Sequence, residues 1–305
     1  MRTLTRMAAA LAASAVAITL AACSDTSSAS GDAASSGSGD AGSSDLSFTV
    51  ADSVDLTGSD TYDAATSAGT LRVGVKEDQP GLGYLDAITG ERTGFDVDIA
   101  RWIAAELGFS EDQIEFQTIP SANREQALVN GDIDYYVGTY SITDKRKEQI
   151  GFAGPYFITG QGLLVSADNT DITSEDDLAG KTVCSATGST PLQNIQENFP
   201  DTKTVPFDTY SQCVDALKDG SVDAVTTDQA ILIGYAAQEP DALKVVGEPF
   251  TEEKYGVGVP KDDAALRHFI NKVFTEGGDT WQKVFDADLG SSGIAVQQPA
   301  VDDYE

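Results

Sequence analysis

The sequence contains a single histidine, His268, in 305 residues. One imidazole excludes a multi-histidine metal site and leaves a Ser–His–Asp triad only one candidate base. Positive charge is also scarce: 19 Lys and Arg stand against 49 Asp and Glu, a formal net charge of −30. A surface that acidic repels phosphate backbones, which excludes a sequence-general nucleic-acid binder. Long apolar runs are missing beyond the extreme N-terminus, so the main body reads as soluble. Gly180-Lys181-Thr182 has the tail of a phosphate loop, but Glu175 stands where that loop requires glycine.

The chain does have enough apolar residues, 41%, for a buried core, and its length fits about two domains. Its first 22 residues read as an address rather than as structure. Arg2 and Arg6 precede the uncharged stretch Met7 to Ala22, which is short for a spanning helix and suits a secretory signal. Leu20-Ala21-Ala22-Cys23 resembles a bacterial lipobox, which implies lipidation of Cys23. Ser24 to Asp45 holds only Ser, Gly, Ala, Asp and Thr, so it cannot form a core. As a flexible tether it would span roughly 26 Å. Removing the leader removes two arginines and no acid, which takes the charge from −30 to −32.

With Cys23 set aside, Cys184 and Cys213 remain. They are either a disulfide or two buried thiols. Export places them where disulfides persist, and both fall in the same half of the chain, so a bridge is expected.

From Leu71 onward, short apolar runs alternate with helical patterns. Strands are expected at 71–75, 114–116 and 133–137, with helices from Gly94 to about Leu107 and from Asn123 to Asn130. The rhythm restarts after Pro155, with strands at 162–165, 182–185, 224–226 and 256–259. Helices are expected at 191–198, 213–218 and 264–275, and Trp281 to Phe285 closes the packed part. Gly131-Asp132-Ile133-Asp134 is echoed by Gly220-Ser221-Val222-Asp223. Two similar α/β lobes with largely parallel sheets follow from this pattern.

Four segments then fall in a specific order: Gly94-Phe95-Asp96-Val97-Asp98, Leu128 to Asp134, Ile142 to Arg146, and Phe152-Ala153-Gly154-Pro155-Tyr156. From about Leu71 to Gly290 the chain resembles the polar amino-acid group of solute-binding proteins that serve ABC importers. Within that group it is most similar to glutamate-binding lipoproteins. The resemblance implies a two-lobed periplasmic-binding-protein-like fold, with the second lobe inserted into the first and a ligand cleft between them. It places lobe 1 at 47–158 plus 254–305 and lobe 2 at 159–253, after the 1–22 signal and the 23–46 tether. It implies no cofactor, a monomer lipid-anchored outside the cytoplasm, and permease subunits as partners.

An amino acid presents a carboxylate and an ammonium, and a closing cleft must pair both. The resemblance assigns the α-carboxylate to Arg146, whose guanidinium can bind it bidentately. Thr139 and Ser141, just past a strand end, match positions that hydrogen-bond the ligand. Thr187-Gly188-Ser189-Thr190 precedes a helix, where backbone amides can hold an anion. Asp228 matches the ammonium acceptor. Ser121 and Arg124 match a segment of dicarboxylic amino-acid binders, and Lys76 matches another cation in some of them. Tyr210 is placed on the same pocket from lobe 2. Lys76, Arg124 and Arg146 against Asp228 give this set a charge of +2, which suits a ligand with two carboxylates. Asp78 to Gly83 departs from the family's aromatic-rich turn, which puts Tyr84 outside the cleft.

Aspartate and glutamine are the neighbouring ligand choices. An enzyme on the same fold, dehydratase-like, would need a free acid–base group in the cleft; a ligand sensor is the third class.

Overall fold

The computed structural model describes residues 46–302. The leader, Cys23 and nearly all of the tether lie outside the described residues. Two α/β lobes make up one compact unit.

Lobe 1 begins with helix α1 (Asp60–Ala68), which Ser59 caps by accepting from the Tyr62 amide. Strand β1 (Leu71–Val75) leads into a small antiparallel sheet of β2 (Asp78–Gln79), β3 (Gly83–Leu85) and β4 (Arg92–Thr93). Helix α2 (Phe95–Glu106) follows, then β5 (Ile114–Thr118), α3 (Arg124–Asn130), β6 (Tyr135–Tyr136), α4 (Asp144–Lys147) and β7 (Gly151–Thr159).

The chain crosses at Gly160 into lobe 2, which contains β8 (Gln161–Ser166), β9 (Thr182–Ala186), α5 (Thr190–Asn198) and β10 (Lys203–Phe207). It continues through α6 (Tyr210–Lys218), β11 (Ala224–Asp228), α7 (Gln229–Gln238) and β12 (Leu243–Val246). Strand β13 (Glu253–Val259) returns to lobe 1, followed by α8 (Ala264–Glu276) and α9 (Gly278–Asp288).

The two main sheets share one plan. Their strand orders are β5-β1-β6-β13-β7 and β10-β9-β11-β8-β12. In each, four of the five strands run the same way. The expectation of largely parallel sheets holds, with one reversed strand in each. Strand β13 pairs antiparallel with β6 and with β7, and β8 does so with β11 and with β12. These are the strands that carry the chain between lobes, so they run against the local direction.

The sequence echo is a repeated joint. Asp134 accepts from the Arg72 amide at the start of β1, and Asp223 accepts from the Thr182 amide at the start of β9, each at 2.7 Å. In both lobes a carboxylate before the third strand satisfies an edge amide of the first. Helix α9 is held to α2 by aromatic packing: the Phe95 ring lies 5.8 Å from Trp281 and 6.2 Å from Phe285. Each such pair adds about 1 kcal/mol beyond burial. In lobe 2, Cys184 on β9 and Cys213 on α6 form the expected disulfide, with Cα atoms 5.4 Å apart.

Candidate functional site

Each parallel strand ends in a loop at the interface between lobes, the position where open α/β sheets bind ligands. In lobe 1 these loops supply cations. Lys76 follows β1 and donates from Nζ to the Ser121 hydroxyl at 2.7 Å. Arg124 opens α3 and donates to the Ser121, Thr139 and Gly188 carbonyls at 3.1, 3.4 and 3.4 Å. Its guanidinium sits 4.3 Å from the centre of the Tyr140 ring, a cation–π contact. Burial, reinforced by the Arg124 charge, pushes the Lys76 amine down to about 7.

Arg146 donates to the Ser141 and Gly188 carbonyls at 2.6 and 3.0 Å and pairs with Glu125 at 3.1 Å. Both guanidinium groups therefore converge on one carbonyl of lobe 2. A guanidinium has five N–H donors, so each arginine keeps unspent donors beside these bonds. Gly188 has φ +79°, and a Cβ there would lie 2.8 Å from the Ala122 Cα. Only glycine allows this approach of the two lobes.

Thr139 holds φ 45°, the lone left-handed non-glycine residue among those described. Its amide donates to Asp96 at 2.8 Å and its hydroxyl to the Gln79 side chain at 3.1 Å. Such strain is held in place by surrounding bonds and concentrates at binding sites. Burial pushes the Asp96 carboxyl up to about 6.

Lobe 2 answers with an acid and helix starts. Asp228 ends β11 and accepts from the Tyr255 hydroxyl at 2.7 Å, while its buried Oδ1 has no partner. Burial, with the nearby Glu253 charge, pushes this carboxyl up to about 8. Ser189 caps α5, and the Thr190 hydroxyl reaches Glu253 at 2.9 Å and Ser141 at 3.3 Å. Tyr210 opens α6 and is buried; burial and Asp228 push its phenol up to about 12.

Lys76, Ser121, Arg124, Thr139, Ser141, Arg146, Gly188, Thr190, Tyr210 and Asp228 thus meet at the interface. Ser189 acts there as a cap. The Thr187 amide and hydroxyl are both spent on the Phe207 carbonyl, so its side chain serves β10 rather than the cleft. A crevice of about 460 Å³, lined by Ser121, Arg146, Gly188 and Thr190, opens this cluster to solvent.

Three groups escaped the sequence reading. Gln79 is fully buried with an unpartnered Nε2. Glu125 and Glu253 add two carboxylates, so the set is formally neutral with every group ionised rather than +2. Nothing marked these two among 49 acids. The Asp78–Gly83 departure was the visible sign of Gln79. His268 lies exposed on α8, away from the interface set. Among the described residues no group of side chains could hold a metal ion, and no helix is long and apolar enough to cross a membrane.

This geometry has known counterparts. The chain is 40% identical over 258 residues to the glutamate-binding protein GluB of Corynebacterium glutamicum, covering 80% of this chain and 86% of that protein. It is 39% identical over 212 residues to the ABC transporter glutamine-binding protein GlnH of Bacillus subtilis, covering 70% of this chain and 77% of that protein. A solved ancestral arginine-binding protein bound to arginine is 38% identical with a TM-score of 0.68, over 73% of this chain and 99% of that chain. These relatives are solute-binding receptors, and residues 71–283 match the family model. The inserted lobe, the facing loops and the charged cleft agree with that match: the chain belongs to the bacterial extracellular solute-binding proteins, family 3.

Proposed function

We propose that the protein captures L-glutamate outside the cytoplasm and hands it to the permease subunits of an ABC importer. It acts as a monomeric binding protein and not as an enzyme. The observation that carries the ligand assignment is the meeting of two buried cations, Lys76 and Arg124, on Ser121. They are additional to Arg146, which takes the α-carboxylate, so a second ligand carboxylate has partners. The free Oδ1 of Asp228 takes the ammonium. Thr139, Ser141, Gly188 and Thr190 line the α-carboxylate, while Gln79 and Tyr210 complete the walls. Residues 1–22 direct export, and lipidated Cys23 with the tether to residue 46 anchors the protein to the membrane.

A second reading, glutamine, rests on Lys76. With its amine lowered to about 7, the side chain is partly neutral near pH 7 and tolerates an amide. Glutamine also belongs to a relative of comparable identity.

Calorimetry against glutamate, glutamine and aspartate separates these readings. The wild type is expected to prefer glutamate. Arg124→Ala is expected to cut the glutamate-to-glutamine affinity ratio roughly 30-fold, the loss of one buried charge pair of about 2 kcal/mol. A ratio unmoved by Arg124→Ala would remove the side-chain role of this arginine, and a wild-type preference for glutamine would favour the second reading. For the anchor, Cys23→Ala is expected to move the protein to the soluble fraction with ligand affinity intact.

A further inference from the structure

Asp78 belongs to lobe 1, but its carboxylate is spent on lobe 2. Its Oδ2 accepts from the backbone amides of Tyr210 at 2.9 Å and Ser211 at 3.1 Å. These are the first two residues of α6. The first amides of a helix lack intrahelical acceptors, and the helix dipole favours a negative charge beside them. Thr209 satisfies the Gln212 amide from within lobe 2. Helix α6 is therefore capped twice, once by its own lobe and once from across the cleft.

Two further contacts belong to the same seam. The Tyr235 hydroxyl on α7 donates to the Asp78 carbonyl and lies 3.3 Å from Oδ2. Beside it, a Cβ on Gly234 would stand 2.2 Å from the Pro80 carbonyl oxygen, so α7 reaches this turn only because residue 234 has no side chain. The seam borders a groove of about 470 Å³ walled by both lobes, with Tyr84 on one side and Val214 on the other.

None of these contacts uses an atom of the proposed ligand set other than the Tyr210 backbone. We propose that Asp78 is a positioning residue that latches the lobes together independently of ligand by capping α6 from the opposite lobe. It acts through its neighbours: Tyr210, which begins the capped helix, and Gln79, which follows Asp78 and carries the free amide nitrogen. When the lobes part, water replaces both the amides and the carboxylate, so the latch biases closure without locking it. Because the latch is ligand-independent, it holds whichever amino acid is bound.

The test uses the full mature chain labelled through Val129→Cys on lobe 1 and Glu197→Cys on lobe 2, both at exposed positions. Energy transfer between the labels reads the open and closed populations without ligand. Asp78→Ala is expected to shift the ligand-free equilibrium toward open by roughly tenfold, the scale of a lost cap. Kd for glutamate and for glutamine should rise by that same factor, leaving their ratio unchanged. Asp78→Asn keeps an oxygen acceptor without the charge and should recover part of the closure; it also serves as the working variant if Asp78→Ala fails to fold. Gly234→Ala should open the molecule as well. An unchanged ligand-free distribution in Asp78→Asn and Asp78→Ala would overturn the proposal, as would a change in the glutamate-to-glutamine ratio, which would make Asp78 a ligand-reading group.

Discussion

Corresponding strand ends carry opposite chemistry in the two lobes. After the first parallel strand, lobe 1 presents Lys76 and lobe 2 presents Gly188 to Thr190. After the second, lobe 1 presents Ser121 and Arg124 and lobe 2 presents Tyr210. After the third, lobe 1 presents Thr139 to Arg146 and lobe 2 presents Asp228. One scaffold is used twice, and the three cations fall on one copy, where Glu125 pairs with Arg146. On the proposed assignment the α-carboxylate partner Arg146 lies on lobe 1 and the ammonium acceptor Asp228 on lobe 2. A ligand therefore gains its full set of partners only when the lobes meet, which makes closure part of recognition.

The sharpest way to break this division is to remove its main cation. Arg146→Ala is expected to weaken every amino-acid ligand by about 3–5 kcal/mol, on the order of 100- to 5,000-fold, because each carries the same α-carboxylate. Calorimetry reads the loss, and the change should be uniform across ligands. Loss confined to one amino acid would move the α-carboxylate to another cation.

The next test falls on lobe 2 and should spare recognition. Cys184→Ser removes a bridge with a sequence separation of 29. In the chain-entropy model this costs about 3–4 kcal/mol, or about 10 °C in Tm for a domain of this size. The glutamate-to-glutamine affinity ratio should remain that of the wild type. A thermal melt with and without reductant gives the same comparison in the unaltered protein. Equal melting temperatures in the two conditions would show that the bridge adds nothing.

The smallest effect comes from pH, and its sign follows from Asp228. In the closed cleft this carboxyl is raised to about 8 by burial, with Glu253 adding repulsion. Tyr255 donates to it, and Arg124 and Arg146 partly offset the shift. Its ordinary value lies near 4 when the lobes are open. The closed state thus holds a proton that the open state lacks between about pH 4 and 8. The contribution of that proton to closure is complete below the ordinary value and is lost as pH rises through 8. Lys76 adds no slope below about 7, where it is protonated in both states. Acidification from pH 7 to 5 is therefore expected to favour the closed form in the absence of an amino acid, approaching tenfold per unit, read as the closed population by energy transfer between labels on the two lobes. Asp228→Asn should flatten this profile.

Much of the architecture is legible in the sequence because it depends on local signals. Gly131 and Gly220 punctuate helix ends, Asp134 and Asp223 repeat a joint, and Val97, Ala100, Ile103 and Ala104 face inward with helical spacing. Helix α7 carries no such signal. Its sequence is apolar around the circumference, and Gly234 weakens its helical pattern. Strand β10 is an edge strand with Pro206 in it and no fully buried residue, so it lacks the alternation that marks a strand. The cations of the site are visible because they are rare, and Gln79, Glu125 and Glu253 are not. Their roles arise from partners about 20 to 60 residues away along the chain, for Glu125 Arg146, for Gln79 Thr139 and for Glu253 Thr190.

The three buried cations sit inside a chain of net charge −30. For a dissolved monoanion the exterior is a repulsive shell around a formally neutral site. At physiological ionic strength the shell extends only about 8 Å, and dilution of salt thickens it. Capture of glutamate should then quicken as salt is added, the reverse of electrostatic steering, while neutral glutamine should arrive at a rate indifferent to salt. The cell's ionic environment would act as a filter on arrival, before any side chain in the cleft reads the ligand.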